Sequence, residues 1–135
     1  MNYWLIKSEP NTYSWDDFVA LGRDMWDGVR NFKARNNMKA MKVGDQALFY
    51  HSISEKSVIG IAEVVKEYYP DPTTEDHRWY LVDFVPVKKL KRPVTLQEIK
   101  GDERFSEMVL VRQSRLSVQP VKPEEFDMII NLSES

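Results

Sequence analysis

Residues 79–90, Trp79-Tyr80-Leu81-Val82-Asp83-Phe84-Val85-Pro86-Val87-Lys88-Lys89-Leu90, decide how the chain folds. Leu81, Asp83, Val85 and Val87 fall on one face of an extended segment, and Val82, Phe84 and Pro86 on the other. Neither face is purely polar, so the strand belongs in a closed or covered sheet. The preceding segment, Val58 to Tyr69, reads as another long strand, ended by Pro70-Asp71-Pro72.

Working outward, Tyr3 to Lys7 is an aromatic and β-branched first strand that stops at Ser8-Glu9-Pro10-Asn11. Gln46 to His51 carries the apolar run Ala47-Leu48-Phe49-Tyr50 after a Val43-Gly44-Asp45 turn, and Leu116 to Val121 alternates as a last strand. Ser14 with Asp17 predicts a capped helix over Trp15 to Leu21, stopped by Gly22. Asn31 caps a second helix over Phe32 to Met41, with Ala34, Met38 and Met41 at helical spacing. Thr95 with Glu98 starts a third, and Pro123 followed by Glu124 and Glu125 a fourth, to about Leu132. Between Asp102 and Ser114, Met108 to Val111 is the candidate strand. Five or six strands outweighing several short helices make an α+β domain with a strongly bent sheet or small barrel.

A chain of 135 residues, 42% hydrophobic and 30% charged, has material for one core of ordinary size, so residues 1–135 read as one domain. It contains no Cys, which removes disulfides, thiolate metal sites and Cys nucleophiles and fits a reducing compartment. The apolar start Met1 to Ile6 is too short for a signal peptide, and no stretch approaches the roughly 20 apolar residues of a membrane span. The expectation is an intracellular, cytoplasmic, soluble protein without a membrane partner.

A net charge of -2 does not suit a protein that relies on non-specific phosphate attraction. The charge is unevenly spread, however. Arg23, Arg30, Lys33, Arg35, Lys39 and Lys42 face only Asp24 and Asp27 between residues 22 and 42. Lys88, Lys89, Lys91, Arg92 and Lys100 face only Glu98 between residues 86 and 100. These stretches are either solvated faces or, if they share a surface, a phosphate track.

Enzyme motifs are scarce. His51 and His77 are the two histidines, with none of the metal-ligand spacings and no phosphate-cradling Gly-rich loop, so no metal, cofactor or catalytic residue is expected. His51 and Ser52 are adjacent on a strand and point to opposite faces, poorly placed to act as base and nucleophile. The aromatic residues suggest more. Trp4 lies in an apolar strand and reads as core, whereas Trp26, in the loop-like Asp24-Met25-Trp26-Asp27-Gly28-Val29-Arg30-Asn31, either stacks a ligand or caps the core. Lys7-Ser8-Glu9 offers a donor, a hydroxyl and a carboxylate at a strand end, either a polar turn or the hydrogen-bonding edge needed to read a splayed-out base. Arg112 and Arg115 precede the last strand.

Together, Tyr3 to Pro10, Trp26 to Asn31 with Ala34-Arg35-Asn36, Val43-Gly44-Asp45, Phe49-Tyr50-His51-Ser52, Gly60 to Val64 and Arg115 to Pro120 resemble, in order, the signature of the EVE domain. The resemblance spans Tyr3 to about Leu132. It implies a PUA-like fold, similar to YTH and ASCH domains, with a bent mixed sheet or pseudo-barrel and short peripheral helices. It also implies recognition of a base, modified cytosines in DNA among them, with RNA or modified DNA as partner. Its motif positions here are Lys7, Ser8, Glu9, Trp26, Gly28, Val29, Arg30, Asn31, Tyr50, His51, Ser52, Arg115, Leu116 and Ser117. On this reading Trp26 stacks the base and is removable with little loss of stability. Ser8 and Glu9 read the base edge, Arg30 and Arg115 meet phosphate or another acid, Tyr50 and His51 line the wall, and Trp79 or His77 supplies a second ring. The alternative is a free nucleotide-like small molecule, bound or chemically altered in the same pocket.

Overall fold

The computed structural model describes residues 1–135. Its elements, in chain order, are β1 (Tyr3–Ser8), α1 (Trp15–Leu21), β2 (Asp24–Met25), α2 (Phe32–Ala40), β3 (Gln46–His51), β4 (Ser57–Pro70) and β5 (Tyr80–Thr95). Then come α3 (Leu96–Lys100), a 3-10 turn (Glu103–Phe105), α4 (Val109–Arg112), β6 (Val118–Val121) and α5 (Pro123–Ser133). One mixed sheet runs β2-β5-β4-β3-β1-β6, with β1 and β3 parallel and the other pairs antiparallel.

Side-chain alternation splits the core into two layers. Trp4 and Ile6 of β1, Ala47 and Phe49 of β3 and Val82 and Phe84 of β5 pack under α1 and α2. Leu5, Leu48, Tyr50, Val58 and Ile61 face the other way, onto α3, the 3-10 turn, α4 and α5 through Ile99, Phe105, Leu110, Phe126 and Ile129. Each fully buried aliphatic or aromatic side chain contributes roughly 1.5 to 3 kcal/mol, so these layers hold the domain together. The buried Asp45 carboxylate secures the first, accepting from Asn2 N at 3.1 Å, Trp4 Nε1 at 3.0 Å and Lys42 N at 3.0 Å.

The sheet is bent where its register slips. β4 and β5 shift against each other at Val58/Gly60, Ile61/Ala62, Val64/Lys66 and Lys66/Tyr69. Pro86, which has no N–H for the ladder, sits opposite Ala62 at the second of these. Shifts of this kind let a long hairpin coil, and β5 continues through Pro93 to Thr95, beyond the expected Leu90.

The expected caps form. Ser14 and Asp17 close a capping box on α1, Thr95 and Glu98 one on α3, Asn31 Oδ1 accepts from Ala34 N, and Pro123 opens α5. Two expectations are corrected. Met108 to Val111 is no strand: Val109–Arg112 is a helical turn in which Arg112 N donates to Met108 O and Gln113 N to Val109 O. β6 takes the place beside β1, and Leu110 of the helical turn packs into the second core layer instead of joining the sheet. Asp24-Met25, expected as loop, pairs with Phe84 and Asp83 as the short edge strand β2. No helix is long and apolar enough to cross a membrane.

Candidate functional site

At the end of β1 the chain leaves the sheet and turns tightly: Thr12 N and Tyr13 N both donate to Glu9 O, at 3.0 and 2.7 Å. The Ser8 hydroxyl closes the turn by donating to Tyr13 O. Opposite lies the loop after β2, where Gly28 adopts φ 77°, a left-handed conformation that side chains resist. Between them opens a cleft of about 630 Å³, within the range that holds small organic ligands. Tyr13, Met25, Trp26 and Val29 give it apolar walls, and Lys7, Ser8, Glu9, Asp24, Asp27, Arg30 and Ser117 give it polar ones.

Three carboxylates thus face two cations, an arrangement suited to a ligand that presents N–H donors. Burial raises the Asp24 pKa; the Tyr13 hydroxyl opposes this, and Asp27 and Asp83 reinforce it. Burial, then the Asp24 carboxylate, raises the Tyr13 pKa. The Tyr13 hydroxyl oxygen is buried and meets no protein partner in hydrogen-bonding geometry. Burial lowers the Lys7 pKa, and its Nζ donates to Ser114 O at 2.6 Å.

The structure gathers Lys7, Ser8, Glu9, Trp26, Gly28, Val29, Arg30 and Ser117 at the cleft. Trp26, however, is not a free loop ring. It is 9% exposed and packs edge-on against Phe18, Phe49 and Phe84, with Tyr13 at 6.1 Å, so it forms the back of the cleft as part of the core. Arg30 is pinned rather than free, donating to Val29 O at 2.9 Å and Asp71 Oδ2 at 3.2 Å.

The other expected residues lie elsewhere. Tyr50 faces the opposite layer of the core, with Lys7 Nζ 5.8 Å from its ring centre. His51 supports α1: its Nε2 accepts from Trp15 N at 3.0 Å, and Nδ1 meets Glu55. Ser52 pairs through its backbone N with Ser8 O at 2.9 Å. Leu116 is core. Trp79 is 7% exposed, stacks on Phe32 at 5.0 Å with the Arg30 guanidinium 5.3 Å from its ring, and does not line the cleft. His77 does not line the cleft either. Asn31 and Arg115 line a neighbouring groove with Lys33 and Arg112.

Sequence reasoning missed Thr12, Tyr13, Asp24, Met25 and Asp27 as lining residues. Only proximity to Trp26 could have pointed to the last three, and nothing pointed to Thr12 or Tyr13. No group of three or more His, Asp or Glu side chains is placed to hold a metal ion.

A PUA-like α+β sheet with an acid-lined cleft where its first strand ends defines the class of this protein. The chain belongs to the EVE domain family, whose profile it matches over residues 2–132. Mouse thymocyte nuclear protein 1 is 37% identical, over 99% of this chain and 74% of the relative. A crystal structure from Agrobacterium tumefaciens is similar at TM-score 0.97 and 44% identity, covering 98% of this chain and 93% of that one. Human THYN1 protein in complex with 5-methylcytosine containing DNA is similar at TM-score 0.93 and 35% identity, covering 100% and 99%. An ASCH protein from Zymomonas mobilis, 14% identical at TM-score 0.61, shares the fold.

Proposed function

We propose that the cleft reads one base of nucleic acid, a modified cytosine, and leaves it chemically unchanged. The carrying observation is a buried Tyr13 hydroxyl, without a protein partner in hydrogen-bonding geometry, in the same cleft as the Asp24 carboxylate that perturbs it. Unpaired buried polar groups are uncommon in native proteins, and a ligand edge would satisfy this one. Cytosine presents an amino donor that a carboxylate accepts, beside ring acceptors that a hydroxyl can meet. The apolar side chains of Met25 and Val29 offer contact for a 5-methyl group. Such a contact is worth roughly 0.8 kcal/mol, or a factor of about four in affinity. The DNA complex of human THYN1 supports the same reading.

Binding without catalysis fits the residues present. The Ser8 proton is committed to Tyr13 O, and no histidine lines the cleft to activate a nucleophile. A base reaches such a site by leaving its stack, which costs a few kcal/mol and is least for single strands.

One observation favours the alternative, a free nucleotide-like molecule bound or altered in the cleft: its own walls carry more acids than bases. Fluorescence anisotropy with DNA and RNA oligonucleotides bearing one 5-methylcytosine, an unmodified cytosine or thymine separates the readings. The modified cytosine should bind best and thymine worst. Equal binding of all three would overturn base reading, and a free nucleoside binding as tightly as its oligonucleotide would favour the alternative.

A further inference from the structure

Beside the cleft runs a second groove of about 380 Å³ whose lining includes Asn31, Lys33, Arg112, Gln113, Ser114 and Arg115, and no carboxylate. Its three cations come from α2, from the last residue of α4 and from the turn that follows it, regions about 80 residues apart that the fold brings together: Lys33 Nζ donates to Gln113 Oε1 at 2.6 Å. The groove and the cleft share a wall. Arg30 and Ser117 line the cleft and their chain neighbours Asn31 and Leu116 line the groove, while Lys7, of the cleft, donates to Ser114 O in the groove.

We infer that this groove is a second binding site, for the phosphodiester backbone next to the base held in the cleft. The inference rests on the base-reading cleft for its orientation and on the groove's own charge for its ligand. Three cations with no lining acid leave a positive concavity on a chain whose net charge is -2, and that sign selects an anion. None of the three is held by a strong internal pair. Lys33 meets a neutral amide, Arg115 makes no hydrogen bond or salt bridge, and Arg112 meets Glu107 with both side chains more than half exposed. An ion pair so exposed contributes little and exchanges readily for phosphate. A polynucleotide is favoured over an isolated anion because groove and cleft adjoin, as a base and its flanking phosphate do. The second basic stretch of the sequence does not contribute: none of Lys88, Lys89, Lys91, Arg92 and Lys100 lines the cleft or the groove.

The test is the salt dependence of binding, compared between wild type and the triple variant Lys33→Gln, Arg112→Gln, Arg115→Gln, whose sites are all on the surface. Removing a cation that neutralises one phosphate should reduce the slope of log affinity against log salt by about 0.9, so the triple variant should bring it down by about 2 to 3. At low salt the variant should bind both modified and unmodified oligonucleotides roughly tenfold or more weakly, while its affinity for free 5-methyl-2′-deoxycytidine stays that of wild type. An unchanged slope, or no oligonucleotide binding by wild type at low salt, would overturn the groove. So would a gain from nucleoside to its 5′-monophosphate as large as that from nucleoside to oligonucleotide, which would assign the groove to a free nucleotide. If wild type does not prefer the modified oligonucleotide but the variant loses salt-dependent binding, the base-reading proposal fails and the groove stands.

Discussion

The indole of Trp15 occupies the space over Gly60 that any side chain there would need: a β-carbon at Gly60 would lie 2.6 Å from two of its ring carbons. Trp15 cannot yield, because it is held edge-on against Phe18 and Phe49 and its backbone N donates to His51. This contact seats α1 on β4, and with it the turn carrying Tyr13 into the cleft. Gly60→Ala should therefore lower stability by about 1 to 3 kcal/mol, the usual range for overpacking, read as a reduced urea midpoint.

Trp26→Ala should destabilise the domain by about 3 to 5 kcal/mol, as deletion of a large core aromatic does. The thermal midpoint should fall accordingly, whatever happens to ligand binding. A midpoint within a degree or two of wild type, equivalent to well under about 1 kcal/mol, would return Trp26 to the role of a free stacking ring.

Tyr13→Phe removes a buried hydroxyl that meets no protein group in hydrogen-bonding geometry. Its stability should match wild type or rise by up to about 1 kcal/mol, because a desolvated group is removed with no hydrogen bond broken. Affinity for the modified oligonucleotide should fall at the same time. Opposite movements of the two quantities, from calorimetry and anisotropy on one sample, would mark Tyr13 as a ligand contact.

Asp24→Asn should erase discrimination between cytosine and thymine, since an amide both donates and accepts where a carboxylate only accepts. The expected change is about 1 to 3 kcal/mol in relative affinity, measured by competition between matched oligonucleotides. Retained preference for cytosine would place the amino-reading group elsewhere.

For Asp71, burial alone would raise the pKa, but the hydroxyl and amide of Thr73 and the Arg30 guanidinium outweigh it and hold the group below the usual carboxylate range. As pH falls, the unfolded chain takes up this proton first, near pH ~4, where a solvated Asp side chain titrates. The contribution of Asp71 is therefore complete above that pH and is lost as pH falls through its lower folded value. Urea midpoints should decline less steeply below about pH 4 in Asp71→Asn than in wild type. At neutral pH the variant should be less stable, having lost its charged partner for Arg30.

Ser14 with Asp17, Asn31, Thr95 with Glu98 and Pro123 were legible in the sequence, because a helix cap spans only three or four residues and needs no distant partner. The long strands around Val58 and Trp79 were legible too, because two apolar faces require cover on both sides. Met108 to Val111 misled, since four apolar residues carry too little periodicity to separate strand from helical turn.

Residues 79–90 by themselves determined a long strand, covered on both faces over Leu81 to Phe84 but open to solvent from Val87 to Lys89, and the ordered motifs determined the family. Tertiary structure decided which side of each strand the cleft occupies. Lys7 pairs with Tyr50 and Ser8 with His51, so strand alternation sends Tyr50 to the layer away from the cleft and His51 beneath α1. It also decided that Trp26 belongs to the core, that Tyr13 and Asp24 line one cleft, and that Lys33 joins Arg112 and Arg115 around one groove. Local sequence encodes where a helix starts or a strand runs. Side chains that meet only through chain reversal depend on the packing of the whole domain.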